Sequence, residues 1–177
     1  DDQMETLLLR LLRGAGTRAL ARMPCMRALG RGLLFRPLLE FDRSQLEAYA
    51  ATHKLAWMDD TSNAQTHFDR NYVRQSLLPL VAARWPGYRD SWSESIALQA
   101  EAEVLLGELA ALDLQRLQGG HRYELQLNAL VRLSAARQRN VLRRWLQALA
   151  LPAPGWHEMH RLLQVVLSAA ADKPAAW

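Results

Sequence analysis

Apolar positions recur at helical spacing along most of the chain. Leu8, Leu9, Leu11 and Leu12 form one wide apolar face between Asp1 and Arg13. The same spacing predicts four more helices, over Asp42 or Ser44 to about His53, Tyr88–Gln115, Ala135–Leu149 and His157–Ser168. The pattern therefore predicts a mainly α chain.

Extended structure is expected in few places. The short apolar run Leu33–Leu39 is the best strand candidate, and Pro37 limits it to a sheet edge or a strand end. His121–Leu127 alternates weakly and could be extended. Thr17–Gly32 is punctuated by arginine and glycine, which indicates a loop with one helical turn. One or two short strands of a parallel sheet are expected.

Glycine and proline suggest where the elements end. Gly14 and Gly16 should stop the first helix. Pro79 should break a helix that begins near Phe68 after Leu78, with a second helical piece over Leu80–Arg84. Pro86-Gly87 is the best candidate for a domain boundary, which predicts domains over residues 1–86 and 88–177.

Composition narrows the function classes. The lone Cys25 excludes an internal disulfide and a cysteine-based zinc site. No apolar run is long enough to cross a membrane, so we expect a cytoplasmic protein. The chain starts without methionine, and we therefore expect it to be a piece of a longer protein. The net charge is +4, and all but two of the 22 basic residues are arginine, which is the better fork for phosphate.

The segment from Trp57 to Arg74 differs from the leucine- and arginine-rich chain around it. A turn-forming cluster, Asp59–Asn63, precedes a helix start with Asp69, Arg70 and Asn71. Arg70 and Arg74 are four residues apart and share a helix face. The residue types fit a capped surface helix with an Asp–Arg pair. They also fit a site for a phosphate-bearing ligand, because a helix start favours anions.

Two further groups are candidates for chemistry. Asp2 and Glu5 lie three apart on the first helix, where they could complement the helix dipole or hold Mg²⁺ or an ammonium group. Four arginines, Arg137, Arg139, Arg143 and Arg144, occur on the predicted helix Ala135–Leu149 without an acid. They could form a solvated face that pairs with the acidic helix over Tyr88–Gln115, or they could contact an RNA backbone.

Three sequence blocks together resemble one protein family. They are DDQMETLLLRLLRGAG, FRPLLEFDRSQLEAYAATHKLAWMDDTSN and FDRNYVRQSLLPLVAARWPG. In this order and spacing they are similar to the tRNA(Ile)-lysidine synthases, bacterial enzymes of the PP-loop ATP pyrophosphatase superfamily. The resemblance continues more loosely through Tyr88–Ser168. It implies the C-terminal half of an α/β, Rossmann-like catalytic domain followed by a small helical domain.

The resemblance also implies an activity. Enzymes of this family use ATP to adenylate the C2 carbonyl oxygen of the wobble cytidine in a CAU anticodon. The ε-amine of free lysine then displaces AMP and leaves lysidine in isoleucine tRNA. ATP and Mg²⁺ are the implied cofactors, tRNA and free lysine are the implied partners, no membrane is involved, and a homodimer is compatible with the resemblance.

Residue roles carry over only where the motifs match. Asp2 and Glu5 match acidic positions that contact the lysine amine or the magnesium of the nucleotide, and Arg70 matches the arginine that neutralises the phosphate or the adenylated intermediate. The remaining matches are Arg13 and Gly14, in a turn near the active site, and Asn63, Asn71 and Arg74, which order a loop or contact tRNA. The four arginines of the later helix are expected to bind tRNA.

Two motifs of the family do not occur in the chain. They are the Ser-Gly-Gly-x-Asp-Ser phosphate loop and a histidine shortly before the paired aspartates. Both would precede Asp1, so we expect this segment alone to be inactive. Two rival functions remain open. A cytidine thiolase of the same superfamily would need thiol or iron–sulfur chemistry, against which the lone cysteine argues. A non-catalytic helical RNA-binding or protein-interaction module would leave the combination of Asp2, Glu5 and Arg70 without a reason.

Overall fold

A computed structural model describes residues 2–21, 23–39, 41–58, 60–121 and 123–171. Asp1 and Asp59, which belong to segments predicted above, lie outside the described residues. The chain forms two compact units, one up to Glu103 and one from Val104 onward. Within the described part it is mainly helical with one small sheet, as expected. The domain boundary at Pro86-Gly87 stays a prediction.

The first unit begins with helix α1, Asp2–Leu12, which Gly14 ends with a left-handed backbone angle φ of 71°. The next elements are listed in chain order: α2 (Thr17–Leu20), β1 (Met26–Leu29), β2 (Gly32–Phe35), α3 (Arg43–Thr52), a 3₁₀ turn (Thr61–Ala64), α4 (Asp69–Tyr72), a π-helical turn (Val73–Leu77), α5 (Leu78–Arg84) and α6 (Tyr88–Leu117). The predicted helices over 1–13, 42–53 and 88–115 and the single turn in 17–32 are therefore confirmed.

The core of the first unit lies between α1 and the helices after residue 68. Its buried members are Met4, Val73, Leu78, Tyr88 and Ile96. Because one apolar face of α1 packs on this core, the acidic side chains in its first turn lie beside the core.

The sheet differs from the sequence prediction. Strand β2 occupies only the first part of the predicted run Leu33–Leu39, and it pairs antiparallel with β1, which we had predicted as loop. The expectation of parallel strands is therefore wrong for this pair. The two strands are joined by the two-residue loop Gly30-Arg31, a length that allows only an antiparallel hairpin.

The predicted second helical piece is present as α5, Leu78–Arg84, but the helical path is not broken after Leu78. The π-helical turn Val73–Leu77 precedes α5, and Pro79 lies in the first turn of α5. The fixed φ angle of proline suits the first turn of an α-helix. The helical path therefore runs from Asp69 to Arg84 and keeps Arg70 and Arg74 on a continuous scaffold.

The second unit contains the end of α6 and three later helices, α7 (Leu127–Leu130), α8 (Ala135–Ala148) and α9 (Trp156–Ala171). The predicted helices over 135–149 and 157–168 are confirmed, and the Ser134 hydroxyl accepts from the Arg137 amide at the start of α8. The weakly alternating segment makes a single bridge, from Gln118 to Leu125. The buried side chains of this unit are Leu117, Leu130, Val141, Leu142, Met159 and Leu163.

Candidate functional site

The acids of α1 and the arginines after residue 68 lie together. Arg70 donates from Nε to Glu5 Oε2 at 2.7 Å and from Nη2 to Asp2 Oδ1 at 2.9 Å. Arg74 donates from Nε to Glu5 Oε1 at 2.7 Å and from Nη2 to Glu5 Oε2 at 3.0 Å. Residues more than 60 positions apart in the chain thus form one cluster of two carboxylates and two guanidinium groups.

The two carboxylates of this cluster have different environments. The Glu5 side chain is fully buried, and both of its oxygens accept from guanidinium groups. The Asp2 side chain is 59% exposed. Glu5 is therefore nearly saturated with donors, whereas Asp2 remains open to solvent.

The electrostatics of the cluster follow from this geometry. Burial raises the pKa of Glu5, but hydrogen bonds and charge from Arg74 and Arg70 outweigh it, so the pKa lies below its ordinary value. The hydrogen bond to Glu5 raises the pKa of Arg74. Glu5 therefore stays ionised at neutral pH, and its lowered pKa makes it a weak base.

Arg13 and Gly14 lie at the other end of α1. Arg13 Nη2 is 3.1 Å from Asp69 Oδ2, and both side chains are mostly exposed. This contact joins the end of α1 to the start of α4, and the left-handed Gly14 turns the chain directly after it. The Asp–Arg pair expected at this helix start is present, but Asp69 pairs with Arg13.

The turn before α4 is held by side-chain amides. Asn71 is almost completely buried and donates from Nδ2 to the carbonyls of Ser62 and Gln65, at 2.8 and 2.9 Å. Gln75, one turn later, donates to the carbonyl of Asn63. Asn63 thus contributes its backbone to this contact. Sequence reasoning missed Gln75, although its i, i+4 spacing from Asn71 was a usable signal.

Asp60 closes the same turn from the other side. Its Oδ1 accepts from the backbone N–H of Ser62 at 2.8 Å, and this hydrogen bond lowers the pKa of Asp60. The cluster of turn-forming residues therefore builds a 3₁₀ turn that α4 holds in place.

An open cavity of about 720 Å³ borders the charged cluster. Asp2, Glu5 and Arg74 line one part of it, and Leu38, Phe41, Leu46 and Leu78 are among the apolar residues that line the rest. Arg36, Arg43 and Arg89 also line it, and sequence reasoning did not single out Arg43 or Arg89. A volume of this size accommodates a small-molecule ligand.

The four arginines of α8 have different surroundings. Arg137 binds both carboxylate oxygens of the fully buried Asp113, and this hydrogen bond raises the pKa of Arg137. The pairing with the acidic helix that the sequence allowed is present here. The Arg144 guanidinium packs against Gly107, where a Cβ would lie 3.1 Å from Nη2. The Arg139 guanidinium lies 6.0 Å from the Trp156 ring centre, and Arg143 is half-buried one turn further along α8.

Two kinds of feature are absent from the residues that the structure describes. Among these residues, no three His, Cys, Asp or Glu side chains converge as a metal site would require. None of the helices described there combines the length and apolar character needed to cross a bilayer.

Comparisons with known proteins cover most of the chain. Residues 1–81 match the family profile of a PP-loop domain, and residues 125–177 match that of the TilS substrate binding domain. A curated relative from Pseudomonas fluorescens, named tRNA(Ile)-lysidine synthase, is 49% identical over 84% of this chain and 35% of its own length. The relative from Pseudomonas aeruginosa is 47% identical over 90% of this chain and 39% of its own length.

A more distant organism gives the same result. The relative from Coxiella burnetii is 43% identical over 97% of this chain and 38% of its own length. The chain thus spans less than two fifths of the length of these relatives. The PP-loop profile covers the charged cluster, and the TilS substrate binding domain profile covers α8 and α9. The chain is therefore similar, over most of its own length, to part of the tRNA(Ile)-lysidine synthases, with a PP-loop match in its first half and a TilS substrate binding domain match at its end.

Proposed function

We propose that this chain supplies part of the active site and part of the tRNA-binding surface of an enzyme that makes lysidine in isoleucine tRNA. The observation that carries the proposal is the cluster of Asp2, Glu5, Arg70 and Arg74 beside an open cavity. In such a reaction the C2 carbonyl oxygen of cytidine attacks the α-phosphorus of ATP, and pyrophosphate leaves. The lysine amine then attacks C2, loses a proton, and displaces AMP.

The arginines fit the first of these steps. Transfer of a phosphoryl group is catalysed mainly by positioning and by cations that neutralise the charge. Arg70 directs Nε and Nη2 to the carboxylates, while 46% of its side chain remains exposed, so its outer N–H groups can reach a phosphate. Glu5 holds both guanidinium groups in place and acts as a positioning residue.

Asp2 fits the second step. It is the more exposed carboxylate of the cluster, so it can accept from the ammonium group of lysine. Mg²⁺, which neutralises phosphate oxygens when it is bound, would be held by Asp2 together with the phosphates of ATP, because one protein carboxylate suffices for such a site. Free lysine and Mg²⁺ are part of the proposal, as is a cytoplasmic location, where tRNA and ATP are present.

The proposal also includes the homodimer with which the family resemblance is compatible. Sedimentation velocity of the chain tests this homodimer.

A chimaeric enzyme tests the proposed function. This chain replaces the matching segment of the Pseudomonas aeruginosa relative, to which it is 47% identical. Lysidine formation and AMP release are measured with ATP, lysine and isoleucine tRNA that has a CAU anticodon. We expect lysine-dependent AMP release, which Arg70→Ala lowers about 100-fold or more, since one lost oxyanion-type contact costs about that factor. Arg27→Ala, which removes the same charge from an exposed position of β1, is the matched control.

The outcomes separate the rival functions. AMP release that does not depend on lysine would point to another tRNA-modifying chemistry. A folded chimaera without lysidine activity, or one in which Arg70→Ala behaves like Arg27→Ala, would contradict the proposal. The 177-residue chain without the remainder of the relative should release no AMP, because it contains no Ser-Gly-Gly-x-Asp-Ser phosphate loop.

A further inference from the structure

Trp156 occupies an unusual position for a tryptophan. It is the first residue of α9, yet it is 60% exposed, while Met159 and Leu163 of the same helix are in the core. Tryptophan is buried to a large extent in most proteins, so an indole that is 60% exposed presents an unusually large apolar surface to solvent. This position makes Trp156 a candidate for contact with a ligand.

The neighbours of Trp156 orient its ring. His160, one turn later, lies parallel to the indole, with an interplanar angle of 2° and ring centres 5.8 Å apart. One further turn along α9, the side-chain nitrogen of Gln164 lies 3.3 Å from Nε2 of His160. Trp156, His160 and Gln164 therefore form one row along the exposed face of α9, with two aromatic rings in the same orientation.

Positive charge borders this row. The Arg139 guanidinium lies 6.0 Å from the Trp156 ring centre, and Arg143 follows one turn later on α8. Residues 135–148 contain no acid. The one acid of residues 156–171 is Glu158, whose Oε2 accepts from the backbone N–H of Gly155. A flat aromatic face beside guanidinium groups is the combination that binds single-stranded nucleic acid, since bases stack on the ring and phosphates pair with the cations.

We propose that Trp156 is a stacking platform for an unpaired nucleobase of the RNA, and that Arg139 and Arg143 hold the adjoining phosphates. This inference rests on the proposed function, because it takes RNA as the substrate, and it adds a specific contact to it. A second copy of this chain is a less suitable occupant, because a two-fold contact would bring the arginines of α8 against each other.

Fluorescence anisotropy tests the platform. The probes are a 12-nucleotide RNA without secondary structure and a 12-base-pair RNA duplex, and the protein is the 177-residue chain. Trp156→Ala should weaken binding of the single strand about 5- to 30-fold, as loss of one base-stacking ring does, and should leave duplex binding unchanged. Trp156→Phe should retain most of the affinity. Trp57→Ala, at a ring that is 61% exposed in the first unit, should have no effect.

Salt dependence separates stacking from charge. Trp156→Ala should not change the slope of log K against log salt concentration, whereas Arg139→Gln should reduce it by about one. Equal losses on single strand and duplex, or a Phe variant as weak as the Ala variant, would overturn the proposal. So would a dimer that Trp156→Ala dissociates while RNA binding is retained.

The two proposals fail separately. If the chimaera makes lysidine but Trp156→Ala binds the single strand like the unmodified chain, the platform is wrong and the proposed function stands. If single-strand binding depends on Trp156 but the chimaera makes no lysidine, the proposed function is wrong.

Discussion

Glu5→Gln tests the central feature of the site. The substitution keeps the size of the side chain but replaces one carboxylate oxygen by an NH₂ group. In the structure, both oxygens accept from Arg70 and Arg74 at 2.7–3.0 Å. In the variant, one of these arginines therefore faces a donor instead of an acceptor, and the negative charge between the two guanidinium groups is lost.

The magnitude follows from burial. Removal of one partner from a buried ion pair costs about 3–5 kcal/mol. Here Glu5 is fully buried, but the arginine side chains are 46% and 33% exposed and can recover hydration from water. Since exposed pairs contribute only about 0–1 kcal/mol, we expect an intermediate loss of about 2–3 kcal/mol in the local stability of α1 and α4. This loss corresponds to amide exchange that is about 30- to 160-fold faster.

Hydrogen exchange measured by mass spectrometry is the assay, because it reports the first unit separately from the second. Peptides that cover residues 2–12 and 69–84 should exchange faster in the variant, and peptides that cover α8 should not. Asp2→Asn is the matched control: Asp2 is 59% exposed, so its loss should cost at most about 1 kcal/mol. If the two variants have equal effects, or if Glu5→Gln leaves exchange of α1 unchanged, the assignment of Glu5 as the positioning group is refuted.

Three further predictions follow from the same contacts. Because the pKa of Glu5 is lowered, its ionised side chain contributes fully to the free energy of unfolding above the ordinary pKa of about 4.3. This contribution is lost as the pH falls through the lowered pKa. The urea midpoints of the unmodified chain and of Glu5→Gln should therefore converge on acidification. Asn71→Ala should lower the local stability of Ser62–Gln65 by about 1–3 kcal/mol, because two carbonyls lose their donor. The amides of this turn should then exchange hydrogen faster, and unchanged exchange would contradict the prediction. Asp113→Asn should lower the melting temperature by several degrees and by more than Arg143→Ala, because it removes the buried charge that Arg137 binds; equal shifts would argue against a structural pair.

The helices and the two charged pairs were accessible from the sequence for a local reason, whereas the meeting of the two pairs was expected only from the family resemblance. Spacings of three and four residues place Asp2 with Glu5 and Arg70 with Arg74, whatever the tertiary fold is. The apolar face of α1 then requires it to pack on the unit core, which also contains Val73. What the spacing could not show is which acid would be buried, since burial depends on how the two helices approach each other.

The hairpin and the path through Pro79 were not accessible in the same way. The four residues Met26–Leu29 include Arg27, and their sequence has neither the alternation nor the apolar run that marks a strand. Their pairing with β2 is fixed by the short loop at Gly30-Arg31. Proline normally stops a helix, but here a π-helical turn precedes Pro79, and the proline lies in the first turn of α5.

The arginines of α8 show why a basic patch in a sequence does not identify a nucleic-acid surface. All four have the same side chain and lie on one helix, and only their tertiary neighbours differ. Arg137 neutralises the buried Asp113, whose desolvation would otherwise be costly. The guanidinium of Arg137 therefore stabilises the fold. Arg139 adjoins an exposed indole, where it is available to a phosphate. The contribution of each arginine to the salt dependence of RNA binding should therefore be unequal, with Arg139 and Arg143 above Arg137. Equal contributions from all four would mean that a diffuse positive field, rather than a defined surface, attracts the RNA.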